Sequence, residues 1–182
     1  MSATRKHIRV SIEQYLDAEK AGEERHEYVD GYLYAMVGGT LAHNIITRNI
    51  ARLFDDAIRG SSCHVFTSDV KVRTATAFYY PDVVVYCGST DLGSDFISAP
   101  KLIVEVLSPS TERTDSVEKR AAYQSLESLQ EYVLLSHERL EVQVYHRVES
   151  GWKAETYAEA DTVRFRSIGC EVLVDEIYTD VK

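Results

Sequence analysis

Two acidic side chains interrupt the most apolar stretches of this chain. Asp82 opens the run Asp82-Val83-Val84-Val85-Tyr86 directly after Pro81, and Glu105 lies inside Lys101-Leu102-Ile103-Val104-Glu105-Val106-Leu107. Side chains alternate along a strand, so Ile103 and Leu107 share the face of Glu105 while Val104 and Val106 point the other way. An ionised carboxylate in such a place costs several kcal/mol unless it is paired or bound to a metal. Proline is tolerated at the first residue of a strand, where no ladder hydrogen bond is lost. If the two runs are neighbours, Asp82 and Glu105 converge at an edge or a split of the sheet. Two such charges 4 Å apart repel by roughly 4 kcal/mol at an effective dielectric of 20. Mg²⁺ or Mn²⁺ would remove that repulsion, take oxygen ligands, polarise a phosphate and activate water. Read locally, the same residues would be an aspartate capping a turn and a glutamate in a structural ion pair.

Other residues could complete such a site. Lys119 and Tyr123 are four apart on a helix that follows Glu105 after a short loop, so they share a face. The lysine could reach back and stabilise negative charge developing on a phosphate. Glu27 falls in or just before a first strand. Asp69 and Lys71 alternate with Val70 and Val72 and could line the site or the solvent, and His43 lies early in a second helix. Arg48, Arg52 and Arg59 fall on roughly one side of that helix and could touch a phosphate backbone, although such stripes are more often solvated.

The elements that would position these residues can be read in order. Ser11 and Gln14 have capping-box spacing ahead of Ile12, Tyr15 and Leu16, and Gly22 ends this first helix. Asp30-Gly31 between His26–Val29 and Tyr32–Val37 is a hairpin signal. A long helix over Leu41–Arg59 buries Ile46, Ile50, Leu53, Phe54, Ala57 and Ile58. Strands follow at Val65-Phe66, Val70–Val72 and Phe78–Tyr80, and then the two apolar runs, which suit central strands covered on both faces. A helix over Asp115–Ser125 is expected to turn Val117, Ala121 and Leu126 inward. Tyr132–Leu135 pairs with Leu140–Tyr145, and Trp152–Tyr157, Val163–Phe165 and Glu171–Val174 are further strands. The class is α/β or α+β: a mixed central sheet flanked by helices, with additional N-terminal and C-terminal β-hairpins.

With 182 residues, 45% hydrophobic and 27% charged, the chain reads as one globular domain over residues 1–182. It has no apolar run of the ~18 residues a membrane span needs. Met1 to Val10 shows no signal-peptide pattern. Cys63, Cys87 and Cys170 are far apart and odd in number, which argues against a disulfide framework and a cysteine zinc site and for a reducing cytoplasm. A net charge of −9 argues against a strong non-specific nucleic-acid binder. No G-x-S-x-G occurs, and the six histidines show no H-x-x-x-H spacing, so serine-hydrolase and zinc-protease chemistries are set aside.

Taken in order, Arg25-His26-Glu27-Tyr28-Val29-Asp30-Gly31, Ala42-His43-Asn44, Ser68-Asp69-Val70-Lys71-Val72-Arg73, Tyr80-Pro81-Asp82-Val83-Val84-Val85 and Val104-Glu105-Val106-Leu107-Ser108-Pro109-Ser110-Thr111 resemble the Uma-type family of restriction-endonuclease-like proteins. So do Lys119-x-x-x-Tyr123 and Glu131-Tyr132-Val133-Leu134. The likeness runs from about Ile12 to Tyr178. It implies the PD-(D/E)XK nuclease superfamily, with a restriction-endonuclease-like fold and Mg²⁺-dependent phosphodiester hydrolysis in nucleic acid, DNA being the expected substrate. Pro81-Asp82 matches the superfamily's "PD", Glu105 its second acid, and Glu27 the glutamate contributed upstream in many members. The usual lysine two residues after the second acid is replaced here by Leu107, and Lys119 of the following helix would supply the ammonium. The aromatic residues and hairpins could support a homodimer. The competing expectation is a nucleic-acid-binding or assembly module on the same fold without turnover.

Overall fold

The structure, a computed structural model, describes residues 9–36, 38–89, 91, 93–107 and 115–181. Helix α1 (Ile12–Ala21) starts on the expected capping box, with the Gln14 amide donating to Ser11 Oγ at 3.2 Å and the Ser11 amide to Gln14 Oε1 at 2.9 Å. Strands β1 (His26–Val29) and β2 (Tyr32–Ala35) form an antiparallel hairpin. Its turn residues Asp30 and Gly31 both have positive φ, 49° and 93°, as a tight two-residue hairpin turn demands. Helix α2 (Leu41–Ala57) is capped by Thr40, whose hydroxyl accepts from the His43 amide at 3.2 Å, and it buries Ile46, Ile50 and Phe54.

Strands β3 (Cys63–Thr67), β4 (Lys71–Arg73), β5 (Ala77–Tyr79), β6 (Val83–Cys87), β7 (Phe96–Ile97) and β8 (Leu102–Leu107) follow. A π-helical turn (Asp115–Lys119) leads into α3 (Arg120–Gln124). The chain continues with β9 (Glu131–Ser136), β10 (Glu141–Val148), β11 (Gly151–Ala158), the hairpin β12 (Thr162–Phe165) and β13 (Cys170–Leu173), and a short helix α4 (Val174–Ile177). Among the described residues, the larger sheet has the order β11-β10-β9-β8-β6-β3, parallel only between β8 and β9. A smaller sheet has the order β2-β1-β5-β4-β7.

Strands β6 and β8 lie inside the sheet with a neighbour on each side, as their largely apolar runs require. On one face, Val83, Val85, Leu102, Val104 and Val106 pack with Ile46, Ile50 and Phe54 of α2 and with Val163 and Phe165 of the C-terminal hairpin. On the other face, Val84 and Ile103 pack with Tyr123 of α3 and with Val72 and Tyr79 of the smaller sheet. The larger sheet is thus a wall with two cores, and Glu105 belongs to the second face by its alternation with Val104 and Val106. None of the described helices is long and apolar enough to cross a membrane.

Two sequence expectations are corrected. The segment after Asp115 does not turn Val117 and Ala121 inward: Val117 is 57% exposed and Ala121 is exposed, while Lys119 and Tyr123 are buried. A π turn holds more residues than an α turn, so the phase of the helix face shifts on entering α3. The lysine goes inward because acidic partners await it there. The odd cysteine count did not exclude a bridge either. Cys63 and Cys87, 24 residues apart, face each other in the antiparallel register of β3 and β6 and form a disulfide, leaving Cys170 as a buried free thiol.

Candidate active site

Asp82 is placed by the pairing of β6 with β8. The last paired residues are Val83 and Val104, so one step further along the antiparallel strands Asp82 comes opposite Glu105, on the same face. Asp82 Oδ2 accepts the Val106 amide at 2.7 Å, a short charge-assisted bond that fastens the carboxylate to β8 where backbone pairing ends. Its other oxygen, Oδ1, lies 3.2 Å from His43 Nε2 at the N-terminal end of α2.

Glu105 is 3% exposed. Its Oε1 accepts the Tyr123 hydroxyl at 3.2 Å and lies 3.8 Å from Lys119 Nζ. The same ammonium lies 2.8 Å from Glu27 Oε1, which also accepts the Tyr80 amide at 3.2 Å. The ring of Tyr79 lies 5.6 Å from Lys119 Nζ and offers it a cation–π contact. Lys119 therefore bridges Glu27 of β1 and Glu105 of β8, joining the two sheets through the π turn that leads into α3. Burial pushes the Tyr123 phenol well above its ordinary value, and the neighbouring Glu105 and Glu27 charges push the same way, so Tyr123 acts as a neutral donor. The Tyr79 phenol is pushed up to about 12, chiefly by burial.

The Lys119 ammonium faces Glu27 and Glu105, while Asp82 is met by the Val106 amide and His43, so carboxylates outnumber lysines where β6 and β8 part. The donor set fits a hard cation, since Asp82 and Glu105 present carboxylate oxygens from one face of adjacent strands. Glu27 is instead engaged by Lys119. Among the described residues, no group of three or more His, Cys, Asp or Glu side chains is arranged to hold a metal. A two-carboxylate site keeps its other coordination positions for water and phosphate oxygens, the usual manner of Mg²⁺.

Contacts thus join Glu27, Glu105, Lys119 and Tyr123 in one cluster and His43 with Asp82 beside it, and the β6–β8 register sets Asp82 opposite Glu105. Asp69 and Lys71 are not among the contacts of this cluster. Asp69 is exposed and pairs with Arg25 at 3.1 Å. Lys71 is buried in the smaller sheet with its ammonium 5.3 Å from the Tyr80 ring centre, and desolvation lowers its pKa. The arginines expected to line the second helix are exposed and already paired: Arg48 of α2 lies 3.8 Å from Asp180, Arg52 of α2 3.5 Å from Asp56, and Arg59, in the turn beyond α2, 2.6 Å from Asp56.

Tyr79, Tyr80 and Glu19 escaped the sequence reading. Glu19 Oε1 accepts the Tyr80 hydroxyl at 3.0 Å and the His26 amide at 2.8 Å, tying α1 to the strands that carry Glu27 and Pro81-Asp82. The adjacency of Tyr79-Tyr80 to Pro81-Asp82 was the available signal. For Glu19, on an otherwise solvated helix face, there was none.

Residues 12–172 match the family model of Uma2, described as "Putative restriction endonuclease". The chain belongs to the Uma2 family. Among its relatives is "Uncharacterized protein slr1290" of Synechocystis sp., 39% identical over 174 residues, spanning 93% of this chain and 92% of the relative. A second from the same organism, "Uncharacterized protein sll1609", is 31% identical over 140 residues, 74% of this chain and 79% of the relative. The fold is shared with a crystal structure from Anabaena variabilis described as "a putative nuclease belonging to DUF820", with a TM-score of 0.77 at 15% identity, covering 95% of this chain and 99% of that one. This Uma2 member accordingly has a mixed α+β, nuclease-type fold, and the cluster around Glu105 sits on its central strands.

Proposed function

We propose that residues 1–182 form one nuclease domain that hydrolyses phosphodiester bonds in nucleic acid, DNA in the first instance, with Mg²⁺ or Mn²⁺ held by Asp82 and Glu105. The observation that carries this reading is the Lys119 ammonium lying between Glu27 and Glu105, with Asp82 opposite Glu105. When bound, the ion would stabilise charge on the phosphate and make a coordinated water more acidic. The protein supplies the rest. Glu27 holds the ammonium at 2.8 Å, so that it can face the non-bridging oxygens of a phosphate as negative charge gathers on them. Tyr123 donates to Glu105 and fixes the orientation of that carboxylate, and the Val106 amide and His43 do the same for Asp82. Water then attacks in line, with the sugar oxygen leaving on the opposite side.

A cytoplasmic setting accords with a nucleic-acid substrate, and reducing thiol pools there would hold Cys63 and Cys87, bonded in this structure, as a dithiol. The exposed Leu33 and Tyr34 of edge strand β2, with Met36 just beyond it, support a homodimer. A monomer by light scattering at working concentration would contradict that part.

A second reading, a nucleic-acid-binding or assembly module without turnover, is favoured in its assembly form by one observation: Arg48, Arg52 and Arg59 are already paired with acids in a chain of net charge −9. Cleavage decides between the two. Wild type, Asp82→Ala and Glu105→Ala are incubated with single-stranded, duplex and branched DNA and with RNA, in Mg²⁺ or Mn²⁺. Metal-dependent cleavage lost in both variants is expected. A Glu105→Ala protein that cuts as fast as wild type would show that the chemistry lies elsewhere, and calorimetric titration of the metal separates loss of binding from loss of turnover.

A further inference from the structure

A cleft among the described residues does not coincide with the acid–lysine cluster. It lies at the other end of these strands, where β8 and β9 begin, and is a cleft of about 410 Å³ open to solvent. Lys101, Glu131, His146, Arg147, Arg166 and Ser167 line it. Lys101 precedes Glu105 by four residues, about 13 Å at the rise of a strand. Glu131 and His146 share the face of Val133, Leu135, Val142 and Val144, opposite that of Glu105, whereas Lys101 and Arg147 extend from Glu105's own face, so the cavity wraps around the strand ends. This cavity is therefore separate from the proposed nuclease site.

Its floor is a saturated carboxylate. Glu131 is 1% exposed, and its oxygens accept the Arg166 amide at 2.8 Å, the Ser167 amide at 3.1 Å and the Ser167 hydroxyl. His146 Nδ1 lies 2.8 Å from the same carboxylate. The charge of Glu131 is thus answered from within the fold. His146 is 3% exposed, and its other nitrogen lies 3.3 Å from Glu155 Oε2 without the alignment of a hydrogen bond.

The walls are cationic. Arg147 is held in place by the carbonyls of Leu129, Gln124 and Leu126 and lies over the Trp152 ring at 4.5 Å. Arg166 reaches Glu155 at 3.2 Å but is 57% exposed at its side chain, so it can turn toward a stronger anion. Lys101 has no acidic partner within ion-pair distance among the described residues. In a chain with 29 acidic and 20 basic residues, three cations gathered on one concavity call for an anion.

We propose that this cavity binds a phosphorylated small molecule, its phosphate held between the Lys101 ammonium and the Arg166 guanidinium. Phosphate suits this pairing of a point charge with a planar fork of donors. The cleft has room for about a dozen waters at ~30 Å³ each, more than a bare phosphate fills, which leaves space for an organic body on the phosphate. A polymer is disfavoured because Glu155 and Glu131 flank the cations and the chain as a whole is acidic.

The test uses the full chain in EDTA, which removes any contribution from a metal at Asp82 and Glu105. Inorganic phosphate, a 5′-mononucleotide, a sugar phosphate, and an oligonucleotide with and without a 5′-phosphate are titrated by calorimetry and ³¹P NMR. Saturable binding of a small phosphate monoester is expected, at least tenfold weaker in Lys101→Gln and in Arg166→Gln and unchanged in Glu105→Gln. Circular dichroism checks that the variants are folded. No saturable binding, or binding indifferent to both cavity variants, would overturn the proposal. Loss of binding in Glu105→Gln would assign the phosphate to the nuclease site, and binding of the 5′-phosphorylated oligonucleotide alone would replace the small molecule with a nucleic-acid end. None of these readouts depends on whether the protein cleaves nucleic acid.

Discussion

Replacing Lys119 by methionine should unfold this protein far more readily than replacing either of its acidic partners. The ammonium lies 2.8 Å from Glu27 and 3.8 Å from Glu105. At an effective dielectric of 20 these separations correspond to attractions of about 6 and about 4 kcal/mol. Desolvating a lysine that is only 8% exposed takes back much of that sum, so the pairs add little net stability while intact. Removing one partner is different, because the desolvation has already been suffered by those left behind. Glu27 would keep the Tyr80 amide and Glu105 the Tyr123 hydroxyl, but both carboxylates would lose their lysine. The expected cost is about 3–5 kcal/mol. At 2–4 °C per kcal/mol for a chain of this size, that is a fall in Tm of roughly 6–20 °C. Glu105→Gln removes one of the negative charges in excess, leaves Lys119 on Glu27 and keeps an acceptor for Tyr123, so its cost should stay near ~1 kcal/mol.

The assay is thermal unfolding of Lys119→Met, Glu105→Gln and wild type, each with and without Mg²⁺. Lys119→Met retains Asp82 and Glu105, so Mg²⁺ should raise its Tm at least as much as that of wild type, by mass action on the folded state. Glu105→Gln should gain much less. Cleavage by folded Lys119→Met should fall by about 10²–10³. Two results would refute the reasoning: a wild-type Tm for Lys119→Met without metal, or a metal response lost in Lys119→Met and kept in Glu105→Gln.

Glu131→Ala should cost about 3–5 kcal/mol in denaturant unfolding, because it strands His146 and the amides of Arg166 and Ser167 at a site 1% exposed. A loss below 1 kcal/mol would mean that this link between β9 and the C-terminal hairpin is slack. The Cys170 thiol, pushed up chiefly by burial from about 9 to about 11, should resist alkylation in the native state at pH 8. Since its folded pKa is raised, its contribution to stability is complete below pH 9 and is lost as pH rises through about 11, and Cys170→Ala should flatten that alkaline decline. Gly31→Ala should cost roughly 1 kcal/mol or more by chemical denaturation, since φ at this position is 93° and the new methyl would meet Arg9 Cβ at 3.3 Å.

Local rules made much of the fold readable. The Ser11–Gln14 box, the Asp30-Gly31 turn and the apolar stripe of α2 each state a backbone geometry within a few residues, and each is present. The apolar runs placed β6 and β8 inside the sheet, and the acids that open one and break the other are Asp82 and Glu105. What stayed hidden depends on register or on partners distant in sequence. No local pattern tells that Val83 faces Val104, and only that pairing puts Asp82 opposite Glu105. Cys63 and Cys87 were hidden for the same reason, since their meeting follows from the β3–β6 register. The inward face of the segment at 115–124 was misread because hydrophobic periodicity assumes one helical pitch and inward apolar residues, and here a π turn and an ion pair override both.

That override also explains why the lysine can stand where it does. A lysine at position 107 would be fixed by the strand that already carries Glu105, whereas Leu107 packs with Tyr123 and Leu129 against the second core. Lys119 instead leans on Glu27, which belongs to the smaller sheet and is itself fixed by the Tyr80 amide two residues before Asp82. The ammonium is therefore correctly placed only when β1, β5, β8 and α3 have docked. Tyr79 and Tyr123, in contact at a ring separation of 5.4 Å, close the interface between them. Moving the lysine off the strand makes the site an outcome of tertiary packing, and disturbances of the core between the two sheets should reach the chemistry before they unfold the chain.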